Sequence, residues 1–173
     1  QMDLKDHIRS IPDFPKPGIN FFDISPLLSH PEAWRTAIDL IAEEIASYQP
    51  ELIAGIDARG FLIAGPLAIA LGCGTMMIRK SGKLPGQVLS YSYDLEYGAD
   101  TIEIQHDAIR KEQRVVIVDD LLATGGTLEA AITLLRNSGA DVRAAACMIE
   151  LTFLKGRERL DLPCHTLIQY ESE

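Results

Sequence analysis

The chain has 173 residues, 47% of them hydrophobic, which suits one domain with a buried core and excludes a disordered chain. Its net charge of −9 comes from 16 basic and 25 acidic residues, so we expect no nucleic-acid partner and no binding to an anionic membrane, because both attract Lys and Arg. The three cysteines lie far apart without Cys-x-x-Cys spacing, and the first residues contain no apolar signal segment. These features predict a reduced, cytoplasmic protein.

In chain order, apolar runs typical of β-strands alternate with helical patterns. The runs lie at 51–56, 75–79, 114–120, 142–150 and 165–170. One amphipathic helix is predicted before the first run, from Trp34, Ile38, Ile41, Ile45 and Tyr48. Another is predicted after the third run, from Leu128, Ala131, Ile132 and Leu135, and Gly139 supplies its stop. This alternation predicts an α/β fold with a central, mostly parallel sheet flanked by helices.

One uncharged stretch, at 61–78, reaches the lower limit of length for a membrane-spanning helix. Gly72, Cys73 and Gly74 interrupt it. We therefore interpret it as a buried helix followed by a short strand, and we expect no membrane partner.

Two regions interrupt the alternation of strands and helices. Residues 11–31 contain five of the nine prolines together with several aromatic residues, and we expect an irregular arm, a small N-terminal hood, that folds over a site. Residues 80–98 form a basic loop with Gly and Pro, and the chain returns through a hairpin strand at 101–105. Long insertions are usually functional or mobile, so we expect a flexible β-hairpin lid at 79–105.

The stretch VVIVDDLLATGGTLEAA, residues 115–131, joins an apolar strand to a helix through two acids and a glycine pair. Ligands of open parallel sheets bind beyond the carboxyl ends of the strands, where we expect Asp119 and Asp120. Gly125 and Gly126 permit close backbone approach, and the amides that open the next helix favour a phosphate. The acids need another partner, such as ribose hydroxyls or Mg²⁺. A helix cap and a tight turn would explain each residue alone, but together they predict a ribose 5-phosphate site.

This stretch resembles the 5-phosphoribosyl 1-diphosphate (PRPP) signature of type I phosphoribosyltransferases. Further segments, at 11–28, 54–61, 78–86, 94–98 and 149–160, resemble the adenine-specific members of that family in order and spacing. The resemblance covers nearly the whole chain, as a single domain of residues 1–173. It implies a purine salvage enzyme that makes AMP and diphosphate from adenine and PRPP, with Mg²⁺ as cofactor and an oxocarbenium-like transition state. It also implies a homodimer.

The resemblance assigns residues to the sugar and its phosphates. Asp119 and Asp120 would hold the ribose hydroxyls and lie near a Mg²⁺ ion that PRPP and water mainly hold. The 5-phosphate would bind the loop of Ala123, Thr124, Gly125, Gly126 and Thr127. The diphosphate would bind Asp57, Ala58, Arg59 and Gly60, together with Arg79, Lys80 and Lys83 of the lid. Arg59 suits this role because its guanidinium is a permanent cation with several donors. The alternatives are a surface salt bridge for Arg59 and a solvated hairpin tip for the two lysines.

The resemblance also assigns the chemistry and the base. Arg59 would act beside the leaving group, and Glu96 would be the acid/base candidate near the purine, unless its carboxylate only stabilises positive charge. Tyr97 would pack in the closed lid. Adenine would stack between the side chains of Phe21 and Leu151. Backbone groups of Asn20 and Phe22 would recognise its edge. Relatives often have Arg where this chain has Phe22, which removes a side-chain contribution but leaves backbone recognition intact. Packing of the arm against the sheet is the alternative for Phe21 and Phe22.

Two other functions stay open at this point. One is a phosphoribosyltransferase for another base, such as hypoxanthine, guanine, xanthine or orotate. The other is a regulator that senses PRPP without chemistry, although such regulators usually carry a DNA-binding appendage, and this acidic chain has no basic helix for one.

Overall fold

A computed structural model describes residues 2–95 and 97–172. Five parallel strands correspond to the five predicted runs, namely β3 (Leu52–Ile56), β4 (Gly74–Lys80), β7 (Arg114–Leu122), β8 (Asp141–Leu151) and β9 (Cys164–Tyr170). β5 (Val88–Asp94) and β6 (Ala99–Gln105) form an antiparallel hairpin, and β6 pairs with β4. The seven strands follow the order β5-β6-β4-β3-β7-β8-β9. The predicted mostly parallel sheet is confirmed.

Consecutive residues of a strand point to opposite faces of the sheet, so the apolar strands give the sheet two apolar faces. Helices cover both of them. Val116 and Val118 of β7 pack on the side of α2 (Pro31–Ile45) and α3 (Arg59–Leu71). Val115 and Ile117 pack on the side of α4 (Gly126–Asn137), where β6 also contributes to the core. The central strands β3, β7 and β8 are therefore largely buried on both faces, which explains their nearly continuous apolar runs, whereas Met77 of β4 is 45% exposed.

The helices begin and end at residues with clear local causes. The His30 side chain accepts a hydrogen bond from the Ala33 amide at the start of α2, where Pro31 occupies the first turn. α3 ends at Gly72, which has a φ of 68°. α4 ends just before Gly139, which has a φ of +97° and acts as the predicted stop.

The N-terminal arm is more regular than we predicted. β1 (Arg9–Ile11) and β2 (Phe21–Asp23) form a separate antiparallel pair, and α1 (Ser25–Ser29) follows. Three prolines lie in the connection between β1 and β2, and Pro26 occupies the first turn of α1, so none of them interrupts a strand. Strands of three residues are too short to show a hydrophobic period, and therefore the sequence analysis missed them.

The uncharged stretch at 61–78 forms most of α3 and then β4, as interpreted from the sequence. Within residues 2–95 and 97–172, no helix combines the length and the hydrophobicity needed to cross a membrane.

Candidate active site

A cavity of about 310 Å³ opens at the carboxyl edge of the parallel sheet. The segments that follow β3 and β7 meet there. Its lining includes these predicted residues: Asp57, Ala58, Arg59, Lys80, Asp119, Asp120, Ala123, Thr124, Gly125, Gly126 and Thr127. The structure thus brings most of the predicted sugar and phosphate residues to one place.

The two acids lie inside β7, not beyond its end as predicted. β3 pairs with β7 only as far as Val118, whereas β8 pairs with it through Leu122. From Asp119 onward, the edge of β7 toward β3 therefore has no strand beside it and lines the cavity. The sequence shows where apolar residues stop, but the length of β7 depends on its two neighbours.

The acids share one crowded environment. Asp120 is 8% exposed and its Oδ2 accepts a hydrogen bond from Arg59 Nε at 2.5 Å. Asp119 Oδ1 accepts from the Asp120 amide at 2.8 Å. Burial, and then the charge of Asp120, raise the pKa of Asp119 well above its ordinary value. Adjacent carboxylates with a strongly shifted pKa in a cavity are typical of a binding site.

Arg59 supplies the positive charge at the site. Burial opposes the charge on its guanidinium, but the hydrogen bond and the negative charge of Asp120, with a smaller contribution from Asp119, outweigh burial, and the pKa of Arg59 is raised. Arg59 therefore forms a salt bridge with an acid of the cavity while its side chain is 49% exposed, and its role at the diphosphate stays a prediction.

The loop after β7 presents its backbone to the cavity. Gly125 has a φ of +88°, and α4 begins directly after it without a side-chain cap. A Cβ atom on Gly125 would also lie 2.5 Å from the carbonyl oxygen of Gly156. Because the first amides of a helix lack intrahelical acceptors, this uncapped turn offers donors to an anion.

The segment after β3 reaches the same cavity because Gly60 has no side chain. A Cβ atom on Gly60 would lie 2.9 Å from the carbonyl oxygen of Val118, so glycine allows α3 to start directly against β7. The peptide bond between Asp57 and Ala58 is cis. This close packing places Arg59 beside Asp120.

The lid cations gather around two acids. The Asp57 carboxylate accepts from Arg79 Nε at 3.2 Å and lies 3.9 Å from Lys83 Nζ. The Lys80 ammonium group donates to Asp100 of β6. Burial opposes the charge on Lys80, but its contacts with Asp100, Tyr93 and Asp57 outweigh burial and raise its pKa. Both lysines form ion pairs at this edge of the sheet, and their side chains are 41% and 52% exposed, so their role at the diphosphate stays a prediction.

The two aromatic residues of β2 have different environments. Phe21 lies under the Arg59 guanidinium, 5.6 Å from ring centroid to Cζ. Phe22 stacks on Tyr170 at 4.1 Å and packs against the core. The alternation of a strand turns the Phe21 ring toward Arg59 and the Phe22 ring toward the core. For the Phe22 side chain, arm packing is therefore the observed role.

The other predicted base and lid residues lie around this edge. Leu151 is the last residue of β8, 9% exposed, and pairs with Tyr170. The Asn20 side chain accepts a hydrogen bond from Ser10 Oγ at 2.8 Å. Tyr97 is 86% exposed at the hairpin turn, away from the lining of the cavity. Glu96 lies outside the described residues, so its assignment stays a prediction.

Comparison with known proteins agrees with this arrangement. The family described as "Phosphoribosyl transferase domain" matches residues 23–165. The chain belongs to this phosphoribosyltransferase family.

Its relatives are similar over nearly their whole length. An adenine phosphoribosyltransferase of Rhodospirillum centenum is 63% identical, and the match covers 99% of this chain and 100% of that protein. The crystal structure of adenine phosphoribosyltransferase from Thermoanaerobacter pseudethanolicus has a TM-score of 0.94 at 49% identity, and the match covers 96% of this chain and 98% of that one. The Saccharomyces cerevisiae enzyme, complexed with an imino-altritol bisphosphate and adenine, has a TM-score of 0.90 at 39% identity, with coverage of 94% and 95%. The predicted phosphoribosyltransferase fold is thereby confirmed.

Several residues of this phosphoribosyltransferase next to the cavity were missed by the sequence analysis. The Tyr93 hydroxyl lies 3.4 Å from Thr127 Oγ1 and also 3.4 Å from Asp100 Oδ2, and so joins the β5–β6 hairpin to the start of α4. Gly156 contacts Gly125, which is 31 positions away along the chain (156 − 125). No local pattern in the sequence signals such contacts, because they depend on how distant segments pack.

Proposed function

We propose that this phosphoribosyltransferase joins adenine to PRPP and releases AMP and diphosphate. One observation carries the proposal. Two adjacent carboxylates, of which Asp120 is buried, line a single cavity together with a guanidinium and an uncapped helix start that follows a glycine loop. Hydroxyl, monophosphate and diphosphate groups are the partners that these three features suit, and PRPP contains all of them.

The sugar would bind along the β7 edge. Ribose hydroxyls donate to Asp119 and Asp120, and the 5-phosphate accepts from the amides of residues 123–127. A hydroxyl that donates to Asp120 replaces the hydrogen bond from Arg59. Arg59 is then available to the diphosphate, so sugar binding and leaving-group binding are coupled through one ion pair.

Mg²⁺ is the metal that this donor set fits. Asp119 and Asp120 offer hard oxygen ligands, and within the described residues no group of three or more His, Cys, Asp or Glu side chains could hold a metal ion. Oxygen atoms of PRPP and water would therefore complete the coordination. The bound ion would neutralise the leaving diphosphate. Asp119 and Asp120 would orient the ribose, and Arg59, Arg79, Lys80 and Lys83 would offset the phosphate charge.

The lid would act on the reacting sugar. Tyr97 and the loop before β5 would close over the diphosphate and exclude water, which would otherwise trap an oxocarbenium-like ribosyl group. Glu96 would then approach the purine as acid/base candidate. Their closed positions are part of the proposal.

Adenine would bind against Phe21, with Leu151 on the other side and the backbone of Asn20 and Phe22 at its edge. Backbone groups discriminate between purines because adenine presents an amine donor and a ring acceptor where hypoxanthine presents an oxygen acceptor and a ring donor. The packing of the Phe22 side chain against Tyr170 fixes the orientation of this backbone segment.

A panel of bases tests the proposal. Purified protein with PRPP and Mg²⁺ is given adenine, hypoxanthine, guanine, xanthine or orotate, and nucleotide and diphosphate are measured. We expect AMP and diphosphate in equal amounts, only slow reaction with the other bases, and loss of activity with a Mg²⁺ chelator. Equal use of hypoxanthine would contradict the adenine assignment, and PRPP binding without turnover of any base would favour the regulator.

We also propose a homodimer that uses the outer faces of α2 and α3. Ile69 is 83% exposed and lines a groove of about 450 Å³ with Trp34 and Pro66. Leu62, on the same helix, is 49% exposed. Apolar residues of this size on a surface are typical of a contact between protein chains. A cytoplasmic location stays a prediction.

A further inference from the structure

A short 3-10 helix, Gly156–Arg159, lies behind the phosphate loop and outside the lining of the cavity. We call it the brace. Its first residue, Gly156, packs against the loop backbone, and a Cβ atom added there would lie 2.9 Å from the Gly125 nitrogen and closer still to the Ala123 carbonyl oxygen. The brace and the loop are therefore in direct backbone contact.

The second residue of the brace is fixed to the sheet. Arg157 donates to both oxygens of Glu150, from Nη2 at 2.6 Å and from Nε at 3.2 Å. Glu150 is 6% exposed and also accepts from Thr166 Oγ1 at 2.8 Å. Arg157 Nη1 donates to the Cys164 carbonyl group. The guanidinium thus connects the end of β8 to the beginning of β9.

The last residue of the brace is fixed to the helix that follows the loop. Arg159 Nη2 donates to Glu129 Oε1, in the first turn of α4, at 2.8 Å. Its Nη1 lies 3.5 Å from the position of a Cβ atom on Gly126. The exposed pair with Glu129 contributes little by itself. The brace nevertheless contacts the sheet, the loop and the helix together.

We propose that the brace is a positioning element for the 5-phosphate, with Arg157 and Gly156 as its positioning residues. This inference rests on the proposed binding of a sugar phosphate at residues 123–127. Several amides must converge on one phosphate, so a shift of the loop by a few tenths of an ångström weakens all of them together. Gly125 has no side chain of its own to hold this part of the loop in place, and the backbone of Gly156 packs against it.

The buried carboxylate gives the brace a firm attachment. Burial opposes the charge on Glu150, but the hydrogen bonds from Arg157 and Thr166 outweigh burial and lower its pKa. Removing the Arg157 guanidinium would leave the buried charge of Glu150 without its cationic partner. Lys at position 157 would keep the charge but lose the two parallel donors.

The test compares Gly156→Ala and Arg157→Lys with a matched control. Arg143→Lys makes the same substitution near the opposite end of β8, where Arg143 pairs with Asp141 and both side chains are 40% or more exposed. Steady-state kinetics give KM for PRPP and for adenine, and calorimetry gives the dissociation constant of ribose 5-phosphate without any base. Thermal unfolding monitors the fold.

For both variants we expect KM for PRPP and the dissociation constant of ribose 5-phosphate to rise by about tenfold or more, equivalent to about 1.4 kcal/mol. KM for adenine should stay within about twofold, and Arg143→Lys should resemble wild type in every constant. Equal rises in both Michaelis constants, or an unchanged ribose 5-phosphate constant in a folded variant, would overturn the inference.

The calorimetric arm separates this inference from the proposed function. If wild type binds ribose 5-phosphate but makes no AMP from adenine, the proposed function fails while the brace is still tested by the variants. If wild type makes AMP and the variants bind ribose 5-phosphate normally, the brace fails alone.

Discussion

The pKa of the Asp119 carboxyl is raised because burial and the charge of the neighbouring Asp120 both oppose ionisation. A group whose pKa is raised in the folded state stabilises the fold below its unfolded pKa, and this contribution is lost as the pH rises through the folded pKa. At neutral pH, Asp119 therefore destabilises the protein relative to a neutral residue of the same shape. Ribose hydroxyls would use the same charge, so binding and stability oppose each other at this residue.

We expect Asp119→Asn to raise Tm at about pH 7 and to lose this advantage as the pH falls toward 4, because the carboxyl of the unfolded wild type then also binds a proton. Activity should fall by about ten- to a hundredfold. A carboxylate offers two oxygen acceptors to the ribose hydroxyls, whereas an amide offers only one. Thermal unfolding across pH and initial rates measure the two effects.

Asp161→Asn is the control for this pH dependence. The hydrogen bond from Arg136 lowers the pKa of Asp161, so its contribution is present above the unfolded pKa and is lost as the pH falls through the folded one. Its substitution should lower Tm slightly at neutral pH. A similar fall in Asp119→Asn would contradict the account of Asp119.

Phe21 and Phe22 differ in which face of β2 they occupy, and their substitutions should differ accordingly. Stacking on a base contributes roughly 1–3 kcal/mol, so Phe21→Ala should raise KM for adenine by about ten- to a hundredfold and change KM for PRPP little. Phe22→Arg should change adenine use only modestly, because a guanidinium can also stack on Tyr170. Steady-state kinetics with each substrate varied would show it; an unchanged KM for adenine in Phe21→Ala would place the base elsewhere.

The loop between β7 and α4 depends on Gly125 in two ways. Its φ of +88° is unfavourable for a branched side chain, and the carbonyl oxygen of Gly156 occupies the Cβ position. From the sequence alone, we would expect Gly125→Val to lose phosphate binding with little loss of fold. The contact with Gly156 changes that expectation, because the side chain must displace the brace.

We therefore expect Gly125→Val to abolish PRPP binding and also to lower Tm clearly. The added strain would reduce the free energy of unfolding by roughly 1–3 kcal/mol or more. Gly126→Ala is the matched variant, because its Cβ would be 3.5 Å from Arg159 Nη1 in ordinary contact and its backbone has no positive φ. That variant should keep a Tm near wild type. Equal Tm values for Gly125→Val and wild type would remove the brace contact from the account.

The strands of the core were predictable from continuous apolar runs, and the helices from apolar residues at helical spacing. The five parallel strands and the buried faces of α2 and α4 follow from that pattern, and the acids with the glycine loop follow from their place after an apolar run. Three features could not be predicted from the sequence: the residue at which β3 stops pairing with β7, the stacking of Phe22 on Tyr170, and the contact of Gly156 with Gly125. They depend on which distant segments meet, and local sequence does not specify this.

At the level of the assembled molecule, the exposed groove between α2 and α3 should be the dimer contact. Ile69→Glu places a charge in that groove and should convert a dimer to a monomer, as measured by light scattering after gel filtration. Leu40→Glu is the control, since Leu40 is 40% exposed on α2 and is not part of the groove lining. A monomeric wild type, or a dimeric Ile69→Glu, would contradict the proposal.

Positive charge is concentrated at the candidate site of an otherwise acidic molecule. The net charge is −9, yet Arg59, Arg79, Lys80 and Lys83 lie at one edge of the sheet. Their pairing with Asp57, Asp100 and Asp120 holds them there. An anionic substrate would exchange for these internal partners, so binding should weaken as salt increases.

Binding of PRPP to wild type and to the double variant Asp119→Asn/Asp120→Asn, measured by calorimetry with Mg²⁺ present, tests the central claim most directly. The claim is that the β7 acids and the loop after them hold the sugar diphosphate. We expect one PRPP per chain in wild type and an affinity lower by about a hundredfold or more in the folded double variant, equivalent to about 2.7 kcal/mol. Wild-type affinity in the double variant would remove these acids from the site and contradict the account.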